Sequence, residues 1–328
     1  MPRHFLRDDD LSPAEQKEVL ELTAAFREDR HVRTPLAGPQ SVAVIFDKPT
    51  LRTQVSFTTG IAEMGGYPLL VDGNLAQIGT RESVADVARV LGRQVSAIIW
   101  RTYGQDRVEE MAELSGVPVV NALTDDFHPC QILADLATIA LHRGGVDALA
   151  GQTFAYVGDG SNNMAHSYLL GGATAGLHVR IGTPAAYPPA PEILAKAEAI
   201  AATTGGSITV TDDPVAAVAG ADAVATDTWV SMGQESQATE RERPFVPFQV
   251  DTALLAHALP DAIVLHCLPA YRGKEISAEV LEGPQSVVWD EAEHRLHAQK
   301  ALLAWLLARP DEDTEATAGH ARPLGERR

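Results

Sequence analysis

The sequence predicts an α/β protein with two doubly wound parallel-sheet domains joined by long helices. Short apolar, β-branched segments alternate with longer amphipathic segments along most of the 328 residues. The strand-like segments are apolar at consecutive positions, which is typical of strands buried on both faces of a parallel sheet. A chain of this length is also long enough for two domains of ordinary size.

Ten segments have the composition of strands, and a break in the pattern at residues 141–152 divides them into two groups. The first group is SVAVIF (41–46), PLLVDG (68–73), AIIW (97–100) and PVVNA (118–122). The second is TFAYVGD (153–159), LHVRIG (177–182), SITVT (207–211), AVATD (223–227), AIVLHC (262–267) and SVVWDE (286–291).

The break and the two ends of the chain set the expected domain boundaries. We expect a first domain at residues 1–143, a second at 150–290, and a C-terminal helix at 291–309 that packs back on the first domain. Leu302, Trp305 and Leu306 form the apolar stripe of that helix. Residues 310–328 are polar and lack aromatic residues, which predicts a disordered tail.

The charge balance excludes one broad class of partner. The chain has 26 basic and 44 acidic residues, a net charge of −18, whereas a sequence-independent nucleic-acid binder needs a basic face. Any anionic ligand must therefore be held by a few local arginines and backbone N–H groups.

The cysteine content and the hydropathy of the sequence predict the cellular compartment of the protein. Two cysteines, Cys130 and Cys267, are too few for a disulfide framework and suggest reduced thiols. We find no apolar run of about 18 residues that would span a membrane and no secretory h-region at the N-terminus. We therefore expect a cytoplasmic protein without a membrane partner.

The stretch FDKPTLRTQVSF places Thr50, Arg52 and Thr53 where an apolar strand ends and a helix begins. The first N–H groups of a helix have no internal partners, and they lie at the positive end of its dipole. Two hydroxyl groups and a guanidinium would complete an anion site of the size of a phosphate. A threonine N-cap beside a surface arginine is the alternative that this stretch leaves open.

Three further residues follow predicted strands, where open α/β sheets bind their ligands. Arg101 ends one strand, and His128 precedes a proline and so lies in a non-helical turn before the helix that contains Gln131. A histidine and a carboxamide suit a planar ligand with a carbonyl and an amide. A structural histidine before a capped helix remains the alternative.

The second group of strands carries polar loops of its own. The loop GDGSNN resembles a dinucleotide loop, but Asn163 occupies the third glycine position and no acidic residue ends the next strand. Asn162 and Asn163 instead offer amides to a polar ligand. Asp227 ends a strand, where it would either bind an ammonium group or cap a helix.

The stretch HCLP ends a buried strand at Cys267. Its thiol is either a small buried hydrophobic group or, beside an arginine, a thiol of lowered pKa. The tight turn that follows makes Leu268–Pro269 a candidate cis peptide bond.

Taken together and in this order, these motifs resemble one family. From Arg3 to about Ala308 the chain resembles the transcarbamylases, and among them the ornithine carbamoyltransferases. The aspartate branch differs at SMG and at HCLP, and it has a lysine where this chain has Gln77. The motifs that carry the resemblance are PTLRT (Ser-Thr-Arg-Thr in the family), LAQIG, WRTYGQ, FHPCQ, GDGSNNMAHS, DTWVSMGQE, HCLP and AEHRLH.

The resemblance implies that carbamoyl phosphate and L-ornithine give citrulline and phosphate in arginine biosynthesis, without metal or organic cofactor. It implies a homotrimer whose Gln77 reaches the site of a neighbouring subunit. The implied catalytic residues are Arg52, Arg101, His128, Asp227 and Cys267. The implied carbamoyl phosphate ligands are Thr50, Leu51, Arg52, Thr53, Gln77, Arg101, His128, Gln131, Cys267, Leu268 and Arg295, and the implied ornithine ligands are Asn163, Asp227, Ser231 and Met232.

Two residues depart from the family pattern. Leu51 stands where the family has threonine, and Gln54 where it usually has arginine. If the lost threonine acts through its hydroxyl group, one bond to the phosphate is missing, which is worth about 1.5–3 kcal/mol. We therefore expect weaker binding of carbamoyl phosphate than in a typical member.

Two other functions compete with this interpretation. One is a transcarbamylase for another amine, such as putrescine, lysine or an acetylated ornithine, although the intact VSMGQE favours a free α-amino acid. The other is a non-catalytic homologue with a damaged phosphate loop, against which the retained Arg52, Arg101, His128, Gln131 and Cys267 weigh.

Overall fold

The computed structural model describes residues 2–229 and 242–308, and in them it has two parallel β-sheets covered by helices. The predicted fold class is therefore confirmed. The first sheet has the strand order β2-β1-β3-β4, with β1 Ser41–Phe46, β2 Tyr67–Asp72, β3 Ala97–Arg101 and β4 Val119–Leu123. The second has the order β7-β6-β5-β8-β9, with β5 Thr153–Val157, β6 His178–Gly182, β7 Ser207–Thr211, β8 Ala223–Thr226 and β9 Ile263–His266.

The helices follow the strands in chain order and differ widely in length. The described α-helices are α1 Pro13–Glu28, α2 Arg52–Glu63, α3 Gly73–Ala76, α4 Val84–Leu91, α5 Gln105–Ser115, α6 Pro129–Arg143, α7 Asn163–Thr174, α8 Pro191–Thr204, α9 Pro214–Val218, α10 Thr252–Leu255, α11 Ala278–Leu281 and α12 Val288–Leu307. Short 3-10 helices lie at Asp8–Asp10, Val146–Ala148 and Arg243–Phe248.

Nine predicted strands are present within one or two residues of their expected limits, but the strand predicted at 286–291 is wrong. Helix α12 begins at Val288, and Ser286 makes only an isolated bridge to Val264. A short apolar run fits a buried strand and a buried helix equally well. Here the helical spacing buries Val288 and Glu291 while Trp289 stays exposed, so the helix is the conformation that buries the correct side chains.

Helix α12 packs against three helices of the first half of the chain, α1, α2 and α6. Lys300 of α12 is buried there and donates to Glu63 Oε2 at the end of α2 over 2.6 Å. The C-terminal helix therefore returns to the first sheet after the chain has built the second. Residue 309 and the predicted tail lie outside the described residues, and no helix within the described ranges is both long and apolar enough to cross a bilayer.

The strand orders put two sets of loops in the place where ligands bind to open sheets. In the first sheet the order reverses between β1 and β3, and in the second between β5 and β8. A crevice forms outside the carboxyl ends of the strands at each reversal. The stretches that follow β1, β3, β5 and β8 contain Thr50–Thr53, Thr102, Gly158–Asn163 and Asp227, and Arg101 is the last residue of β3.

Candidate active site

Residues from both sheets line one cavity of about 680 Å³. This volume lies in the range of small-molecule sites in proteins. The first half of the chain contributes the start of α2, Arg101 and His128, and the second contributes the loops after β5, β8 and β9. The cavity therefore needs both sheets to be complete.

Helix α2 begins at this cavity without a side-chain cap. Its N-cap is Leu51, whose side chain makes no capping hydrogen bond and is 72% exposed. The first backbone N–H groups of a helix lie beyond the reach of its own carbonyl groups. Thr50, Leu51, Arg52 and Thr53 all line the cavity, so these donors and the positive end of the dipole are available to an anion there.

Three arginines surround the same end of the cavity, and their hydrogen-bond partners among the described residues are neutral. Arg52 Nη2 donates to the carbonyl oxygen of Leu268, and Arg295 Nη2 donates to Thr53 Oγ1 over 3.2 Å. Arg101 is buried, and its Nε has no partner within the described part of the chain. Burial, with Arg295 and Arg52 nearby, lowers the pKa of Arg101 to about 10. The guanidinium still carries its charge at neutral pH, so an anion would relieve this crowding of positive charge.

His128 is the N-cap residue of α6, with the non-helical backbone that its position before a proline predicts. Its backbone N–H donates to Ser167 Oγ over 2.9 Å, which fixes the turn. Burial lowers the pKa of the imidazole well below its ordinary value, and the neighbouring arginines lower it further. The ring is therefore neutral at physiological pH and has one N–H to donate.

Asp227 and Cys267 lie together at the ends of β8 and β9. Cys267 Sγ donates to Asp227 Oδ1 over 3.2 Å. Burial and the Asp227 carboxylate raise the pKa of the thiol well above its ordinary value, so the lowered pKa considered from the sequence is wrong. The reason is that the thiol is buried and hydrogen-bonded to an acid, and both effects disfavour the thiolate. Burial also raises the pKa of Asp227.

The turn after Cys267 has the cis Leu268–Pro269 peptide bond expected from the sequence, and Leu268 has a left-handed backbone with φ 55°. His266 holds this turn, because its Nδ1 accepts from the Leu268 N–H over 2.9 Å. His266 Nε2 lies 3.1 Å from Glu275 Oε1. Both ring nitrogens are therefore engaged, although the ligand atoms of His266, Asp227 and Cys267 lie within 4.8 Å of one another. We assign no metal to this group.

Most of the residues predicted for the site line this cavity, and of those that the structure describes two do not. Gln131 lies one layer below, 1% exposed, and donates its amide to Asp135 and Glu291. Gln77 is exposed, with a left-handed backbone, and is not part of the cavity of its own chain. Ser231 and Met232 lie outside the described residues. Those that line the cavity are Thr50, Leu51, Arg52, Thr53, Arg101, His128, Asn163, Asp227, Cys267, Leu268 and Arg295.

Two ion pairs at the cavity were not predicted from the sequence. Lys48 pairs with Asp125, and Lys274 Nζ lies 2.6 Å from Glu242 Oε1. Lys48 lies two residues after β1, in the loop that contains the predicted anion site, so its place at the cavity could have been predicted from the sequence. Lys274 and Glu242 are distant in the sequence, and nothing in their local pattern indicates that they meet.

The arrangement of charge divides the cavity into two ends. One has an uncapped helix terminus and three arginines, which suit a phosphate dianion. The other has the Asp227 carboxylate and the amide of Asn163, whose Nδ2 donates to the Thr124 carbonyl oxygen over 2.8 Å. Such an end suits an ammonium group. A neutral histidine N–H between them can polarise a carbonyl group.

Comparison with known proteins gives the same division. Residues 3–140 match the family model of the carbamoyl-P binding domain of aspartate/ornithine carbamoyltransferase, and residues 150–306 match the model of its Asp/Orn binding domain. Ornithine carbamoyltransferase of Bifidobacterium longum subsp. infantis is 64% identical over 312 residues, covering 94% of this chain and 97% of the relative. That of Clavibacter sepedonicus is 64% identical over 307 residues, covering 94% and 99%.

Solved structures agree with the sequence matches. Ornithine carbamoyltransferase from Pyrococcus furiosus superposes with a TM-score of 0.89 at 43% identity, covering 93% of this chain and 97% of that one. Both family models together span most of the chain, and the relatives match it over nearly their whole length. The chain therefore belongs to the aspartate/ornithine carbamoyltransferase family.

Proposed function

We propose that this protein transfers the carbamoyl group of carbamoyl phosphate to the δ-amine of L-ornithine, giving L-citrulline and phosphate. The observation that carries the proposal is one cavity lined by Asp227 and by three arginines that make no ion pair within the described part of the chain. The names of the relatives and the descriptions of the two family models support the same substrates.

We also propose that the two halves of the chain divide the substrates between them. Residues 1–143, with the helix 291–309, would bind carbamoyl phosphate, and residues 150–290 would bind ornithine. The packing of α12 on α1, α2 and α6 supports the assignment of this helix to the first half. Its residue Arg295 then reaches the anion end of the cavity from behind.

The leaving phosphate is bound at the start of α2. The backbone N–H groups of that turn, the hydroxyl groups of Thr50 and Thr53, and the Arg52 and Arg101 guanidinium groups would donate to its oxygens. Charge grows on these oxygens as the bond to the carbamoyl carbon breaks. Donors that are fixed before the reaction favour the departing dianion over the ground state, which accelerates the chemical step.

The carbonyl oxygen of the carbamoyl group is polarised by His128 and Arg295. A neutral imidazole donates its N–H without adding a further positive charge to a site that already has three. The carbonyl oxygens of Cys267 and Leu268 would accept from the carbamoyl NH₂ group, and Gln131 would add its carbonyl oxygen from below. Holding both reactants in this way replaces a bimolecular encounter by an oriented one, which is worth several kcal/mol.

Ornithine is held by its α-amino and carboxylate groups, at Asp227, Asn163 and the predicted Ser231 and Met232. The amine that attacks must be neutral. Because the Cys267 thiol has a raised pKa and donates to Asp227, it helps to aim the amine and does not act as a thiolate base. We assign the product to arginine biosynthesis. We place the enzyme in the cytoplasm, where free thiols such as Cys130 and Cys267 are the usual state.

The assembly we propose is a homotrimer. Strand β2 is at the edge of the first sheet, and several large apolar side chains on it and around α2 are exposed. Gln77 is exposed in the stretch that follows β2 and α3, and it would complete the site of a neighbouring copy. The exposed apolar residues are Leu51, Val55, Tyr67, Leu69, Leu70 and Leu75.

Light scattering tests the assembly directly. The full chain of 35.0 kDa is expected to have the mass of three chains in solution, because burying these apolar side chains favours association. A single-chain mass at assay concentrations would contradict the proposal.

A panel of amines tests the reaction. Formation of the carbamoylated (ureido) product, which is citrulline for ornithine, is measured with ornithine, putrescine, lysine and Nα-acetylornithine under the same conditions, with carbamoyl phosphate in excess. We expect product with ornithine and at least about 100-fold less with putrescine and Nα-acetylornithine, because polar groups of a site built for a free α-amino acid stay unpaired with these amines. Lysine keeps both groups, but its extra methylene misplaces the attacking amine, so we expect at least about 10-fold less product with it. Activity with putrescine alone would indicate another transcarbamylase, and none with any amine a non-catalytic homologue.

Replacing Leu51 by threonine tests the departure in the phosphate loop. Leu51→Thr is expected to lower the KM for carbamoyl phosphate by roughly 10-fold or more, because a hydrogen bond from a hydroxyl group to a charged acceptor is worth about 1.5–3 kcal/mol. The matched control is Val55→Thr, one turn along the same helix and also exposed, but not part of the cavity. An unchanged KM in Leu51→Thr would mean that this position acts through its backbone N–H.

A further inference from the structure

A buried polar cluster lies behind the anion end of the cavity. Arg295 Nη1 donates to Gln131 Oε1 over 2.5 Å. The Nε2 of Gln131 donates to Asp135 Oδ1 over 2.7 Å and to Glu291 Oε1 over 3.0 Å. Asp135 and Glu291 are both fully buried and neither lines the cavity, so the mechanism above gives them no part.

The two carboxyl groups determine which end of the Gln131 amide faces the site. Both N–H donors of its Nε2 are used by Asp135 and Glu291, so the carbonyl oxygen must point away from them, towards Arg295. Turning the amide over would set its oxygen against two carboxyl oxygens and its NH₂ against a guanidinium. Each of these contacts would leave a buried polar group unpaired, which is costly.

The pair is anchored to elements of the second sheet. Tyr168 of α7 donates its hydroxyl to Asp135 Oδ2 over 2.7 Å, and the backbone N–H of His266, at the end of β9, donates to Glu291 Oε2 over 2.7 Å. Asp135 itself is on α6 and Glu291 on α12. The orientation of Gln131 is therefore tied to the contact between the two halves of the molecule.

We propose that Asp135 and Glu291 are positioning residues for the carbamoyl group, which act by fixing the carbonyl oxygen of Gln131 and the guanidinium of Arg295. The proposal rests on the carbamoyl transfer assigned above, because it gives these two groups their ligand. With the amide fixed, its oxygen can accept from the carbamoyl NH₂, while Arg295 donates to the carbonyl oxygen.

Two carboxyl groups that are buried and hydrogen-bonded to each other favour a state with one shared proton and one negative charge. Burial raises the pKa of Asp135 to about 6, against which the donors Tyr168 and Gln131 favour its charged form. Burial and the neighbouring Asp135 raise the pKa of Glu291 well above its ordinary value, so Glu291 carries the proton. The titratable and charged groups that face the pair are Tyr168 from α7, Arg295 from α12 and Cys267 after β9.

In this state Asp135 carries the charge and Glu291 the proton, so the isosteric variants of the two residues are expected to affect activity differently. In Glu291→Gln the charge of the pair is kept, but the amide nitrogen cannot accept from Gln131 or from the His266 N–H, so one hydrogen bond is lost. The kcat/KM for carbamoyl phosphate is therefore expected to fall less than in Asp135→Asn, by about 3- to 10-fold. In Asp135→Asn the charge is lost and Tyr168 or Gln131 loses its acceptor, so kcat/KM is expected to fall by roughly 10- to 100-fold, with the KM for ornithine little changed.

The control is Thr138→Val, one turn further along α6. Thr138 Oγ1 makes a buried 3.0 Å hydrogen bond to His294 Nδ1 and so joins the same two helices, and its hydrogen-bond partners among the described residues do not include Gln131 or Arg295. It is expected to lower the melting temperature without lowering kcat/KM. Equal losses in Asp135→Asn and Glu291→Gln, or no loss in Asp135→Asn, would overturn the proposal. An inactive wild type would instead contradict the proposed reaction.

If Asp135→Asn does not fold, a second variant tests whether the charge of Asp135 is needed. Tyr168→Phe removes a donor that favours the charged form of Asp135, so the pKa of Asp135 rises and its charge is lost at a higher pH. The acid limb of kcat/KM for carbamoyl phosphate is therefore expected to move upwards in pH relative to wild type, with the plateau unchanged. An acid limb at the same pH in both proteins would refute the role of Asp135.

Discussion

Three guanidinium groups converge on one cavity in a protein of net charge −18, and among the described residues none of them is hydrogen-bonded to a carboxylate. Keeping Arg52, Arg101 and Arg295 so close costs free energy, because like charges repel and burial removes their water. The lowered pKa of Arg101 is the sign of that cost. A dianion at the start of α2 would reduce this cost, and among the described residues no carboxylate is hydrogen-bonded to these guanidinium groups in its place.

The topology explains how residues distant in the sequence reach this point. Each sheet reverses its strand order once, and the loops at each reversal open on the same cavity. The first reversal supplies the uncapped start of α2 and the arginine of β3, and the second supplies Asn163 and Asp227. Helix α12 then packs on α6 and places Arg295 and Glu291 in contact with it. In the proposed reaction, phosphate binding and amine binding would thus depend on separate sheets, whose loops line the same cavity.

Much of this could be predicted from the sequence, because the decisive signals are local. Buried parallel strands are continuous apolar runs, so nine of them could be placed, and Thr50–Thr53, Arg101 and His128 could be located at strand ends. The strand expected at 286–291 was wrong because a run of four residues does not distinguish a buried strand from a buried helix. The direction of the pKa shift of Cys267 could not be predicted, since it depends on the burial of the thiol and on its contact with Asp227, 40 positions away. The layer that contains Gln131, Asp135 and Glu291 was equally hidden, because its members are brought together only by the packing of α6 on α12.

A crystal structure with a bisubstrate mimic, in which a phosphonate is joined to ornithine through the carbamoyl carbon, tests the central claim most directly. The account predicts that the phosphonate lies against the first N–H groups of α2 within hydrogen-bond distance of Arg52 and Arg101. It also predicts that the carbonyl oxygen lies beside His128 and the α-amino group beside Asp227. A phosphonate bound elsewhere, with the three guanidinium groups left without an anion, would contradict it.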